Sequence, residues 1–488
     1  MTPAAGRQHY NTTLAILTVA GTAYALQQTM VIPALPALQR ALHTTTTWVT
    51  WVLTVLLLVA SVSTPILGKL GDQYGKGRLL VISLALFLVG CVGAASAWNI
   101  WSLIFFRAVQ GLGAPVFPLS FGIIRDEFPR EKVAVGIGLI SAVFGVGGGF
   151  GIVFSGLIID HLSWRWLFIT GSIPVALAVV LVHLFVPESP IKTPSRIDYA
   201  GASLLSGGLI CLLLALTEGP AWGWGSPRVD GLFAGAAVLL AAWVGVELTV
   251  SEPLVDMHVF VQRQILFTNL CALITGFAMF GTFVLIPNFV EAPRSLPASV
   301  ARLVHYGFGA SATKAGLYLL PSSVTLLFAG PLAGVIGRRI GSKWPLAAGM
   351  PLAGISAGML ALWHAHAWQI LAAMPVLGIG VGFAFAAMAT LITEAVRPTE
   401  TGIATGMNTV MRTLGGVIGG QLGAVLLAAY VIPGSGGVAS SSGYVTAFAI
   451  SAAAAFAGAV VAVFVTPPAL PRRQRRLEPG FGTVREPQ

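Results

Sequence analysis

Fourteen apolar blocks of about 17–25 residues, each bounded by charge, proline or glycine, divide this chain almost from end to end. They begin near Thr12, Thr46, Leu79, Ile100, Ala134, Trp166, Ala200, Val229, Ile265, Ala315, Pro345, Trp368, Ala404 and Tyr444. A soluble core has no room for that much apolar side chain. Hydrophobic residues make up 56% of the 488, and only 9% are charged, against about 25% in soluble proteins. The surrounding solvent is therefore lipid, where every backbone N–H and C=O must find its partner within the protein. Blocks of this length predict helices, so the fold class is all-α integral membrane with fourteen transmembrane helices. Twelve is the alternative count if the pair near 200–250 is misread.

Charge orients the blocks. Of the 27 lysines and arginines, nineteen fall on one set of loops and ends and six on the other. Arg107 and Arg412 lie inside blocks. This bias predicts a multi-pass protein of the plasma membrane with both termini cytoplasmic. The formal charge of +10 raises nucleic acid as a partner, but the basic residues are scattered singly through short loops, which excludes it. Cys91, Cys211 and Cys271 sit inside apolar blocks without ligand spacing, and His364 and His366 have no carboxylate or cysteine beside them. No metal, no cofactor and no catalytic residue is expected, and the chain is not read as an enzyme.

An internal repeat divides the molecule. Gly68-Lys-Leu-Gly-Asp72-Gln-Tyr-Gly75-Lys76-Gly-Arg78 follows the second block. Its glycine frame returns as Gly334-Val-Ile-Gly-Arg338-Arg339-Ile-Gly341-Ser-Lys343 after the tenth. A loop repeated between equivalent spans marks a duplicated transporter. The expected domains are a six-helix bundle over 1–198, two inserted helices over 199–260, a second six-helix bundle over 261–466 and a basic cytoplasmic tail over 467–488.

Polar residues inside the blocks nominate the site. Arg107, with Gln110 on its face three residues on, is costly in hydrocarbon and is expected to face a cavity or partner. Asn408 and Arg412 repeat the pairing in the thirteenth block, and Gln27 and Gln28 are adjacent amides in the first. The fifth block carries Gly145, Gly148, Gly149, Gly151 and Gly156, which permit close helix contact and a conformational hinge. The tryptophans near the outer boundaries read as interface anchors.

These residues together resemble the major facilitator superfamily, and more closely its fourteen-span drug:proton antiporter branch. The Asp72 loop is similar to the superfamily signature after the second helix. Arg107-Ala-Val-Gln110-Gly111-Leu-Gly113 is similar to its fourth-helix motif, whose arginine is associated with proton coupling. Asp198-Tyr-Ala-Gly201 and Glu252-Pro253-Leu254-Val-Asp256 resemble markers around the two extra helices, and Thr401 through Arg412 resembles the twelfth-to-thirteenth-helix region. Two positions depart from the branch. Gln27 stands where an aspartate is common, and Gly151-Ile152-Val-Phe-Ser155-Gly156 lacks the proline of the antiporter motif.

The resemblance implies two bundles that rock around a central cavity and export small amphipathic compounds, drugs or metabolites, by proton antiport. The implied partners are a small-molecule substrate, protons and the lipid bilayer. Arg107 and Gln110 would tune coupling; Asp72, Lys76 and Arg78 would latch the cytoplasmic face; Gln27, Gln28, Asn408 and Arg412 would line the path. Asp72, Asp160, Glu218, Glu247 and Glu394 are open candidates for the proton carrier. Two other readings stand beside this one: a proton-independent uniporter or importer on the same scaffold, and a non-transporting membrane sensor or scaffold.

Overall fold

The computed structural model describes residues 10–44, 46–189, 198–292, 304, 306–432 and 438–466. The basic tail over 467–488 lies outside the described residues, as do the N-terminal nine residues and 190–197 of the linker before the inserted helices.

The described residues are almost wholly helical, with an isolated bridge between Val431 and Ala439. The first part contains α1 (Tyr10–Thr29), α2 (Leu35–Ala41), α3 (Thr46–Tyr74), α4 (Lys76–Ala95), α5 (Ile100–Gly111), α6 (Val116–Glu127), α7 (Arg130–His161) and α8 (Arg165–Phe185). Next come α9 (Tyr199–Trp222), α10 (Pro227–Glu247) and the single turn α11 (Met257–Phe260). The last part holds α12 (Arg263–Glu291), α13 (Ala312–Ile340), α14 (Lys343–Leu362), α15 (Ala367–Ala395), α16 (Thr401–Ala429) and α17 (Ser441–Val463). Against the expected fourteen spans, twelve helices among the described residues are long and apolar enough to cross a membrane, α5 and α6 counting as one. Two further long helices, α1 and α7, pack among them. The protein is a multi-pass membrane protein.

Local chemistry sets the helix ends. Asn99 accepts from Ser102 N at 2.8 Å while Ser102 Oγ accepts from Asn99 N at 3.2 Å, a reciprocal cap that starts α5. Ser226 caps α10 ahead of Pro227, and Asp198 caps α9 through Gly201 N at 2.8 Å. The fourth block is not one rod. Gly111, Gly113 and Pro115 break it, and Gly113 N and Ala114 N bond back only three residues, to Gln110 O and Gly111 O. Gly75 and Gly341, equivalent in the repeat, hold φ of 118° and 97°, where a side chain would be strained. That shared backbone state explains why the glycine frame recurs.

The helices before residue 190 pack on one another, as do those after 262. The α9–α10 pair lies outside, with α9 against α3 and α16. The two groups meet along α7 and α13, where glycines bring backbone onto backbone. A methyl group at Gly138 would strike the Gly330 carbonyl, and one at Gly316 would lie 2.8 Å from Val153 N. A second contact joins α3 to α16, where a methyl at Gly68 would lie 2.6 Å from Gly402 O. Outward-facing Ile173, Leu184 and Phe328 are exposed, as lipid contact requires. Trp98 and Trp101 are exposed too, whereas Trp164 is buried with the Arg165 guanidinium 4.5 Å above its ring.

Candidate functional site

The end of the molecule that carries the repeated loops is closed by charge placed against helix termini. Asp72, near the end of α3, is buried, and its Oδ2 accepts from Gly402 N at 2.9 Å and Ile403 N at 3.3 Å. Those amides belong to the first turn of α16, which has no intrahelical acceptors for them and favours a negative charge. Lys76, also fully buried, sits 2.6 Å from Asp126 Oδ2 and 3.4 Å from Asp72 Oδ1, and reaches Pro398 O at 3.5 Å. The lysine thus offsets two buried carboxylates that would otherwise be costly.

Arg125 of α6 makes a matching grip. It donates to Val396 O at 2.6 Å, Arg397 O at 3.1 Å and Thr401 Oγ1 at 2.6 Å. The first two carbonyls follow α15, a helix end that attracts cations. From the other side, Arg338 of the second repeat donates to Glu131 O at 3.2 Å. Arg78 does not join this contact. It is largely exposed, 3.6 Å from Glu188, whose carboxylate accepts from Gly77 N and Arg78 N at 3.1 Å and caps α4. Arg125, Asp126 and Glu188 were not singled out by sequence, since their roles depend on which helix ends they meet.

Deeper in, Arg107 is fully buried on α5 and does not reach the surface. Its Nε donates to Val52 O at 2.9 Å and its Nη1 to Gln110 Oε1 at 2.6 Å; Gln110 Nε2 in turn lies 3.0 Å from Cys91 Sγ. Nη2 is buried without a hydrogen-bond partner among the described residues. Burying a guanidinium with a donor left over is unfavourable.

Between the two helix groups lie two narrow chambers of about 10 and 30 Å³ that share Phe117, Thr409 and Arg412. The smaller admits about one water molecule. Arg412 stacks its guanidinium 4.4 Å from the Phe385 ring centre, a cation–π contact inside an aromatic wall. Gln28 and Tyr24 line the larger chamber, and Asn408 the smaller. Gln27 does not line them. It turns toward Gly171 of α8, fully buried, with neither side-chain polar atom partnered among the described residues. Adjacent residues on a helix point about 100° apart, so the two amides part company. Asn408 Nδ2 donates to Asn269 Oδ1 at 3.0 Å, bringing in a residue of α12 that the sequence reading missed.

The α7 glycines face two ways. Gly145, Gly149 and Gly156 meet Leu326, Ser323 and Thr313 of α13, while Gly151 meets Leu26 and Thr29 of α1. Gly148 lies in the same helical stretch. Thr29 Oγ1 donates to Gly147 O at 2.8 Å, and Thr313 Oγ1 donates to Asp160 Oδ2 at 2.8 Å at the far end.

Two groups of membrane helices thus enclose a polar, arginine-bearing centre, with charged side chains of each group bonded to backbone groups of the other across one end. The sequence profile of the Major Facilitator Superfamily matches residues 17–292 and 268–487, and the chain belongs to that superfamily. It is 29% identical over 72% of its length to the tetracenomycin C resistance and export protein of Streptomyces glaucescens, covering 63% of that protein. It is 31% identical over 57% of its length to multidrug resistance protein 3 of Bacillus subtilis, covering 52% of it. The matched stretch therefore spans roughly half to two thirds of these relatives. Among solved structures, the human organic anion transporter MFSD10 matches with a TM-score of 0.63 at 13% identity, over 93% of this chain and 100% of that one. The proton:xylose symporter XylE matches with a TM-score of 0.61 at 14% identity, over 93% and 96%. At such identities the likeness carries the fold alone.

Proposed function

We propose that this chain is a fourteen-span exporter of small amphipathic compounds, driven by proton antiport across the plasma membrane. In this reading α1 and α7 are spans too; at about 1.5 Å per residue each is long enough to cross the hydrocarbon. The bias of basic residues toward one set of loops and ends supports a cytoplasmic location for the Asp72 end and both termini. Residues 1–198 and 261–466 form the rocking bundles, and 199–260 is the insertion.

The observation that carries the proposal is the reciprocal grip at the Asp72 end: Asp72 on the start of α16 and Arg125 on the end of α15. Such contacts tie otherwise separate bundles and are released when they rock. Arg107 with Gln110 tunes coupling, Gln28, Asn408 and Arg412 meet the cargo, and the α7 glycines serve as the pivot. The chamber walls bear Arg412 and no carboxylate, which favours neutral or anionic cargo over cations. Export itself is supported by the similarity to a tetracenomycin C resistance and export protein and a multidrug resistance protein.

Protein in liposomes under an imposed pH gradient tests this. Substrate-triggered proton release is expected. Gln27 in place of an acid, together with the carboxylate-free chambers, favours a proton-independent uniporter as the second reading, and transport indifferent to the gradient selects it.

A further inference from the structure

Behind the Asn408–Asn269 hydrogen bond lies a third chamber, of about 270 Å³. Asn408 lines the central space and Asn269 this one, so the amide pair partitions the two. The volume approaches the lower end of small-molecule sites. Five parts of the chain enclose it: α3 through Lys69 and Asp72, the segment joining α10 to α12 through Leu254 and Phe260, α12 through Ile265 and Asn269, the segment joining α15 to α16 through Val396 and Thr399, and α16 through Ile403 and Met407.

That segment is fastened in place. Glu247 accepts from Val255 N at 3.1 Å and from Trp243 Nε1 at 2.7 Å, and Lys69 Nζ donates to Pro253 O at 3.2 Å. Leu254, Val255 and Met257 are buried in one cluster with Ile403 and Met407. The inserted helices thereby hang a strap over the contact between α3 and α16.

Asn269 points to what the chamber takes. Its side chain is 3% exposed, its Oδ1 is used by Asn408, and its Nδ2 has no partner among the described residues. A buried amide donor calls for an acceptor. Charges around the chamber are already engaged: Asp72 by amides of α16, Arg397 by Glu400 at 3.3 Å, Asp256 by His258 N and Val259 N. Leu254, Phe260, Ile403 and Met407 supply apolar surface, beside the polar side chains of Gln73, Ser251 and Thr399.

We propose that this chamber is a regulatory site for a neutral amphipathic molecule bearing a carbonyl-type oxygen, and that its occupancy holds the Asp72 end shut. The oxygen accepts from Asn269 Nδ2 and the apolar body lies against the strap and α16. Because the walls belong to both bundles, the site exists in the closed arrangement and is dismantled when they part. A ligand with that preference shifts the population toward closure. The regulatory half rests on the rocking-bundle reading above.

The test uses the full chain in lipid nanodiscs, benzophenone as a photoreactive neutral carbonyl probe, and spin labels at positions 131 and 339 on opposite bundles. Adducts are expected to concentrate on Met407 and Leu254. Asn269→Leu should lower them about fivefold, the worth of one neutral hydrogen bond. Met407→Trp fills the chamber and should remove those on Leu254, and the probe should enrich the short 131–339 distance. Adducts spread alike over lipid-facing helices in all three chains overturn the site. Adducts confined to the chamber with a 131–339 distance that stays short with or without probe keep the site, and overturn both the regulatory role and the rocking reading.

Discussion

Asp72 and Gly402 lie 330 residues apart in the chain and 2.9 Å apart in space. The carboxylate supplies a negative charge to the N-terminus of α16, while Arg125 supplies a positive one to the carbonyls that follow α15. One corner of the second bundle is therefore held by two opposite charges, each on the helix end that attracts it.

Asp72→Asn keeps an oxygen for the α16 amides and removes the charge. Weakening the contact by about 1–2 kcal/mol moves the closed-to-open ratio by roughly five- to thirtyfold. Distance distributions between spin labels at 131 and 339 should gain a long component; an unchanged distribution rules out the latch.

Arg125→Gln should have a similar effect, because its loss leaves the Val396 carbonyl without a charged donor. The double variant with Asp72→Asn should be non-additive, since both groups hold the same corner. Full additivity in the same spin-label measurement argues for two independent contacts.

At Arg107, the lysine variant separates charge from geometry. The guanidinium bonds Val52 O and Gln110 at once, in directions a single ammonium does not reproduce. Transport is expected to be lost in Arg107→Ala and to stay severely reduced in Arg107→Lys, with membrane insertion retained in both. Normal transport by either removes its coupling role.

The glycine seam yields a contrast. Gly330→Val drives a branched side chain into the Gly138 carbonyl and should lower thermal stability by several degrees, an overpacking cost of about 1–3 kcal/mol. Gly231→Ala and Gly245→Ala, where nothing lies within 4 Å, should be neutral or slightly stabilising. Equal melting temperatures for all three variants would contradict the close approach.

The spans were legible because lipid imposes a length and a composition, and the helices begin within a few residues of the block starts. The repeated loop was legible because Gly75 and Gly341 need the same unusual backbone angle. The broken fourth span left its signal in Gly111, Gly113 and Pro115, although hydropathy runs straight through. Arg125, Asp126 and Asn269 were not legible as site residues. Each acquires its meaning from a group more than a hundred residues away or on another helix, which no local pattern records. The split between Gln27 and Gln28 depends in turn on which way α1 faces.

The seam between α7 and α13 is made of main chain and small residues, so few long side chains must disengage for one half to turn against the other. Resistance to that turn is concentrated in a handful of polar contacts at the extremities. On the proposed rocking cycle, a single substitution there would bias the resting posture of the whole molecule, and the walls of the central chambers would be free to diverge without retuning the movement.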